Sequence, residues 1–485
     1  MPPKTGVKTL IIGAGFAGLC MGAQLRRGED DDFLIVDKAA GVGGTWRHNI
    51  YPGAECDIPS SLYSYSFAPN PTWDFKWAKQ PQILNYLEGF TDEEGRRAHC
   101  RFEVTVIGAA YDTQEKRWTV KFADGTTAVC QFLISAVGQL HHPRFGEFKG
   151  RDRFKGAQFH SAQWDHSVDL RGKNIAVIGN AASAIQLIPE LQAVAKSLTI
   201  YQRSANWIIP KGDRAYSKFE KWLAAKVPSI AKLYRGSIWA ASEFFLYPVI
   251  QGKWLRSKIL GAASKAHMRK AIKDPNMREA LTPLYPIGAK RVLLSDKIYP
   301  ALASENVELV TTGLEQITAE GIVDVDGLSR DHDIIVHATG FITNPFLKEL
   351  DIKGARGQTL KQHWGEGASA YLGLMTHGFP NLFMLYGPNT NTGHTSIVYK
   401  IEAQVQGVLK LMARAGEGAI DVTGAAETDF DAEMQRRLST MTWAKIEASW
   451  YQDKGRVTNN WPGPSREYSR RARNPIAAHF QVSRQ

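Results

Sequence analysis

The sequence predicts an α/β protein built from two strand–loop–helix–strand units, with a helical stretch inserted in the second. Two observations carry this reading. An apolar strand that turns through a small-residue loop into an amphipathic helix occurs twice, at 7–37 and again at 173–203. The composition, 44% hydrophobic and 22% charged over 485 residues, is that of a folded globular chain and not of a disordered or fibrous one. That length suits about three domain-sized units.

In the first unit Thr9-Leu10-Ile11-Ile12 runs into Gly13-Ala14-Gly15-Phe16-Ala17-Gly18, and a second apolar run, Phe33–Val36, ends at Asp37, 19 positions beyond Gly18. Each residue type has a physical reason. Gly13 makes the tight strand-to-helix turn, Gly15 leaves room for a pyrophosphate against the backbone, and Gly18 lets the helix pack closely on the strand. The helix N-terminus then faces the phosphates, and the carboxylate at the next strand end accepts from a ribose hydroxyl. Such a Rossmann-like site suits FAD or NAD.

The second unit repeats the design. Asn174–Ile178 leads into Gly179-Asn180-Ala181-Ala182-Ser183-Ala184, and the strand after the helix, Ser197–Tyr201, ends in Gln202-Arg203-Ser204. Counting 19 positions from Ala184 reaches Arg203, where the first unit has Asp37. A guanidinium there pairs with a 2′-phosphate, so this site suits NADP. Ala181 stands where the second glycine is usual, and its methyl crowds the pyrophosphate path.

Two such loops imply two dinucleotides on one chain, and a flavin fed by a nicotinamide nucleotide is the economical pair. The apolar strands at 133–138 and 334–340 both end in small residues and glycine, as where a chain leaves one nucleotide domain and returns to it. The expected organisation is a discontinuous FAD domain at 1–141 and 335–485. An NADP domain occupies 142–208 and 289–334, and a helical insertion at 209–288 shapes a substrate cavity. Arg466, Arg470, Arg471 and Arg473 are expected to form a basic, solvated C-terminal tail.

Other classes are disfavoured. The four cysteines, Cys20, Cys56, Cys100 and Cys130, have no metal or disulfide spacing, which fits a reduced cytoplasm and no metal site. No signal peptide is visible. The apolar stretch from Ser237 to Ile250 is broken by Glu243 and Pro248, so no membrane span is expected. The net charge of +11 is read first as a solvated basic surface; it could also serve phosphorylated cofactors, and without a stacked-aromatic RNP-like motif no nucleic acid is expected.

Between the loops lies Phe154, then Gly156, His160, Trp164 and Asp165. This spacing resembles the fingerprint of the Baeyer–Villiger monooxygenases, and the resemblance runs in order from about residue 7 to 465. Gly43-Gly44-Thr45-Trp46, Asn49, Tyr51-Pro52-Gly53 and Asp57 are similar to that family's flavin-side loop. Gln202–Trp207, with Ser204 where threonine is common, is similar to its NADP-binding strand end. Tyr285-Pro286 with Lys290-Arg291 is similar to the segment of its active-site arginine, and Ala338–Phe341 and Tyr386–Asn389 complete the series.

Taken alone, several of these residues have plainer roles. Asp57 would cap a turn, Lys290-Arg291 would be a solvated basic pair, His160 a hydrogen-bonded hinge, and Trp46 and Tyr51 packing groups beside the flavin. The resemblance implies more. NADPH would reduce FAD, the reduced flavin would trap O₂ as a C4a-peroxide, and that would insert oxygen beside a ketone carbonyl to give an ester or lactone. Arg291 would stabilise the negative charge, Asp57 would hold Arg291, and Lys290 would meet the 2′-phosphate. Asn389 to Thr395 would lie near the flavin.

The rival readings are a flavin-containing monooxygenase oxidising nitrogen or sulfur, a flavin disulfide reductase, and a non-catalytic nucleotide sensor. The first usually has another aromatic at the Trp164 position. The second needs a cysteine partner near Cys56, and there is none in the sequence. The third would follow if Ala181 disabled the second loop. The sequence leaves the identity of the ketone and the oligomeric state open.

Overall fold

The computed structural model describes residues 6–484 apart from 345, 348, 366, 447–450 and 454. Two main sheets organise the chain. In the first, Gly6–Ile12 lies parallel between Phe33–Val36 and Thr127–Ser135, with Cys100–Arg101 beyond Phe33–Val36. Every residue of Phe33–Val36 is buried, as expected for a parallel strand covered on both faces. Val106–Asp112, Arg117–Phe122 and Thr127–Ser135 form an antiparallel meander. The last strand of it forks: its first half pairs with Arg117–Phe122, and its end, Leu133–Ser135, pairs with Leu382–Met384. Asp351–Lys353 closes the far edge against Val106–Asp112.

The second sheet is wholly parallel, in the order Val307–Val310, Ser197–Tyr201, Asn174–Ile178, Ile334–His337, Ala157–His160. Contrary to the expected return to the first unit at 335, the strand Ile334–His337 lies within the second sheet, between Asn174–Ile178 and Ala157–His160. The chain crosses back only after His337, and its next strand in the first sheet is Asp351–Lys353. The two crossing segments pair with each other: Arg144 N donates to Gly340 O at 2.9 Å and Ile342 N to His142 O at 2.9 Å.

The helix Phe16–Arg27 covers the first sheet and shares a core with the long helix Ile397–Ala415. Its approach is close enough that a Cβ on Gly22 would meet Ile35 Cδ1 at 2.8 Å. The helix Ala182–Gln192 packs in the same manner over the second sheet, through Ile185, Leu187, Ile188 and Leu191.

Between the short parallel strands Ile208–Ile209 and Leu293–Leu294 the chain is helical: Lys218–Lys226, Pro228–Ala241, Tyr247–Ile250, Trp254–Ala271 and Pro275–Ala280, with a π-helical turn at Ser242–Leu246. A capping box between Ser217 and Glu220 starts the first of these. The C-terminal arginines are not a free tail. They lie on the helix Ser465–Arg473, where Arg471 meets both Glu433 oxygens at 2.8 and 2.9 Å, and the chain then continues as the strand Phe480–Ser483 against Ala419–Val422. All four cysteines are buried and free. No helix among the described residues is long and apolar enough to cross a membrane.

Candidate active site

Gly13 adopts φ +109° and a Cβ there would fall 2.5 Å from Ala136 O, while a Cβ on Gly18 would fall 1.9 Å from Gly13 O. Both positions therefore demand glycine. Gly15 is different: its φ of −88° suits any residue, and what a side chain there would approach is Gly44 Cα, 3.5 Å from the added Cβ. Gly43 N donates to Ala14 O at 2.9 Å, so the two glycine loops lie against each other and leave a side-chain-free channel. Gly44, at φ +52°, caps the short helix that begins with Thr45 and Trp46. Asp37 closes the loop, accepting from Ala14 N at 2.7 Å and Ala39 N at 2.8 Å. The glycine channel, a helix N-terminus and a half-buried carboxylate at the strand end fit an FAD pyrophosphate and ribose.

The second loop has the same geometry. Gly179 takes φ +115°, with a would-be Cβ 2.4 Å from Ala338 O. Ala181 has φ −87° and ψ −157°, against −88° and −167° at Gly15. Alanine is thus tolerated without strain, and its exposed methyl affects only the space left for a phosphate. Asn180 Nδ2 donates to Gln202 Oε1 at 2.7 Å and to Ser204 O at 2.9 Å, tying loop to strand end. Lys290 Nζ donates to Ser204 Oγ at 3.1 Å. Burial, and after it the nearby Arg203 guanidinium, hold the Lys290 ammonium below the ordinary lysine value. Two cations near enough for one to lower the other's pKa form an anion site, which fits a 2′-phosphate.

Between the two units Arg291 Nε and Nη2 donate to Asp57 Oδ2 and Oδ1 at 2.6 and 2.7 Å, a bidentate pair across 234 residues of chain. Asp57 is therefore not the turn cap its local sequence suggests, nor is Arg291 a solvated basic residue. Burial works against the charge on Arg291, but the Asp57 carboxylate outweighs it and holds the guanidinium above its usual pKa. The side chains keep 27% and 29% exposure, facing a cavity walled by Ile58, Leu246, Val249, Leu260, Trp443 and Tyr451. Burial pushes the Tyr451 hydroxyl up to about 12, so it stays protonated.

Trp46 remains beside the first loop, its Nε1 donating to Tyr63 OH at 3.1 Å. Tyr51 moves away from the expected flavin side: it lies in the core of the second unit, donating to Gln186 Oε1 at 2.8 Å and bonded to Ser183. Asn389 Nδ2 is consumed by Val457 O and Asn460 O, each at 3.1 Å, so this side chain ties two loops together.

The fingerprint forms a structural corner. Phe154 and Trp164 are buried, and a Cβ on Gly156 would fall 2.4 Å from Asp333 O. His160 is wholly buried against the crossing ribbon, with Phe145 at 5.4 Å and Phe341 at 5.8 Å. Burial lowers its pKa to about 4, so it is neutral, and its Nδ1 accepts from Ala162 N at 3.1 Å. Asp165 only caps a turn, accepting from Ser167 N at 2.9 Å.

Comparison with known proteins agrees with this geometry. Residues 10–232 match the family model described as pyridine nucleotide-disulphide oxidoreductase. The chain is 40% identical to a Baeyer–Villiger monooxygenase of Pseudomonas aeruginosa, over 94% of this chain and 88% of that one. It is also 40% identical to one of Streptomyces coelicolor, over 99% and 93% of the two. The fold superposes on a steroid monooxygenase bound to NADP with a TM-score of 0.87 and 32% identity, covering 99% of each chain. This chain belongs to the Baeyer–Villiger monooxygenases. It is a flavoprotein monooxygenase, and the disulfide-reductase reading of the shared two-nucleotide plan lapses, since Cys56 is buried and free.

Sequence reasoning missed part of this monooxygenase's cavity. His394 lines it and pairs at 3.1 Å with Glu243, which also accepts from Ser465 N at 2.7 Å. The signal was present as a lone acid inside an apolar run. A carboxylate there, on a π-helical turn, is retained only where buried donors meet it. Trp443 and Tyr451 carried no such mark.

Proposed function

We propose that this monooxygenase uses FAD and NADPH to insert one atom of O₂ beside the carbonyl of a ketone, giving an ester or lactone. The observation that carries the reading is Arg291, fixed bidentately by Asp57 at the edge of a cavity walled mostly by apolar side chains of the helical segment and by Trp443. When bound, FAD supplies the redox chemistry, accepting hydride from NADPH and activating O₂.

The chain's own residues do the rest. Gly13, Gly15, Gly18, Asp37, Gly44 and Thr45 bind the flavin nucleotide. Gly179, Ala181 and Ser183 border the nicotinamide nucleotide, and Arg203 with the Ser204-held Lys290 selects its 2′-phosphate. Arg291 keeps its proton at any working pH and offers a fixed positive charge where oxygen gains negative charge. Asp57 sets the direction of that guanidinium. Ile58, Leu246, Val249, Leu260 and Trp443 exclude water, which strengthens the interaction. The flavin domain is assigned to 6–141 and 339–484 and the nicotinamide domain to 142–208 and 289–338. The protein is placed in the cytoplasm, where its cysteines stay reduced.

Aerobic turnover with NADPH, ¹⁸O₂ and a panel of cyclic, linear and aryl ketones tests this by mass spectrometry. Esters carrying one labelled oxygen are expected. NADPH consumption that yields only hydrogen peroxide, or only N- and S-oxides from added amines and sulfides, would overturn it.

A further inference from the structure

The helical stretch from 209 to 288 contains fifteen basic and five acidic residues, so it holds +10 of the chain's net +11. The rest of the chain is nearly neutral. The same stretch also exposes large apolar side chains. On the helix Lys218–Lys226, Phe219 is 66% and Trp222 54% exposed, their rings stacked at 5.9 Å. The helix Pro228–Ala241 buries none of its residues, and Ile230, Leu233 and Tyr234 open one face of it to solvent. Phe244, in the π-helical turn that continues that helix, is exposed as well. On the helix Trp254–Ala271, Trp254, Leu255 and Ile259 share an exposed face, with the Lys258 ammonium 4.3 Å from the Trp254 ring.

Each helix thus shows an apolar stripe in a strongly cationic setting, beyond the scattered apolar residues of an ordinary surface. Self-association is a poor account, because a second copy would bring +10 against +10. A nucleic acid would answer the charge but leave the apolar stripes facing water. Both features are met where water, anionic headgroups and acyl chains adjoin: tryptophan and phenylalanine enter the boundary, while lysine stems extend to the phosphates. No described helix can cross a membrane, so the arrangement lies on a surface and does not span it.

We infer that the outer face of residues 218–259 docks this enzyme on an anionic lipid bilayer, its helices lying in the headgroup layer. The inner side of the same segment, through Leu246 and Val249, walls the cavity, so docking sets that cavity close to the lipid.

Co-sedimentation of the FAD-loaded protein with phosphatidylcholine vesicles, with and without phosphatidylglycerol, tests the inference. Binding is expected only when phosphatidylglycerol is present, and added salt should weaken it. The double variant Trp254→Ser/Leu255→Ser, and separately Lys232→Glu/Lys258→Glu, should each lower the bound fraction at least about fivefold. All four positions are exposed, so the flavin spectrum and the rate of NADPH oxidation in vesicle-free solution should match the parent. No sedimentation with phosphatidylglycerol vesicles would overturn the proposal, as would undiminished sedimentation of both variants. It would also fall if light scattering showed a dimer that Trp254→Ser/Leu255→Ser dissolves, or if duplex DNA retained the protein while anionic vesicles did not.

Discussion

His394 Nε2 stands 3.1 Å from Glu243 Oε1 with both side chains almost wholly buried, tying a cavity-lining loop to the helical segment that walls the same cavity. Burial pushes the Glu243 carboxyl up, but hydrogen bonds from His394 and Ser465 outweigh it and hold it below its ordinary value. Burial likewise holds the His394 imidazole below its ordinary value, against the opposing pull of Glu243. The contact is a buried hydrogen bond between the imidazole and the carboxylate.

Glu243→Ala would strand the donors of His394 and Ser465, both buried. Each such group costs about 1–3 kcal/mol, so the FAD-loaded variant should melt several degrees lower. Glu243→Gln keeps an acceptor and should lose less. Thermal denaturation of the two variants beside the parent measures this, and an unchanged midpoint for the alanine variant would show that the contact contributes nothing.

Lys400 is fully buried, donating to Thr390 O at 3.1 Å, and burial lowers its pKa to about 7. An unfolded lysine holds its proton up to ~10.4. Between these values the unfolded chain binds a proton that the folded chain does not, so this residue's contribution to stability rises with pH across about 7 to 10. Denaturant melts at both ends of that window should show the parent gaining stability relative to Lys400→Met. Parallel curves would contradict the assignment.

Arg291→Ala removes the fixed charge from the cavity edge, and a donor that meets developing charge in an active site is worth about 2.7–4 kcal/mol. The variant should keep FAD but lose ester formation by about a hundredfold or more, releasing hydrogen peroxide instead. Asp57→Ala should show a milder form of the same defect, since Asp57 orients the arginine. Product analysis with a peroxide assay distinguishes these outcomes, and a normal ester yield from Arg291→Ala would remove the residue from the mechanism.

On the proposed assignment of the 2′-phosphate, Arg203→Ala and Lys290→Ala would each remove one charge-assisted contact, worth about 1.5–3 kcal/mol. Preference for NADPH over NADH in kcat/KM should fall tenfold or more in each, by about one decade per 1.4 kcal/mol. Steady-state kinetics with both nucleotides provides the check. Activity with NADH should change little.

Ala181 shares the backbone conformation of Gly15, so Ala181→Gly changes space and not fold. The variant should bind NADPH more tightly, with KM lower by a few-fold, and lose at most about 1 kcal/mol of stability to the added backbone freedom. An unchanged KM would show that the methyl does not meet the pyrophosphate.

What the sequence by itself determined was local. Gly13 and Gly179 are demanded by their left-handed backbone angles and Gly18 by its closeness to Gly13 O, all within one strand–loop–helix unit, and the 19-residue spacing to Asp37 and Arg203 follows from that unit's geometry. Short-range steric requirements leave a readable mark on short stretches of chain. The tertiary structure alone decided what meets across distance. Asp57 reads as a turn residue until the fold brings it to Arg291, and Tyr51 reads as a flavin-side residue until Gln186 draws it into the second unit. Ile334–His337 is as apolar as any buried parallel strand, so its composition does not say which sheet it joins. Arg471 reads as part of a solvated tail until the fold sets Glu433 opposite it. Such pairings are set by how remote surfaces pack and by which buried charges must find partners, and no single segment carries that information.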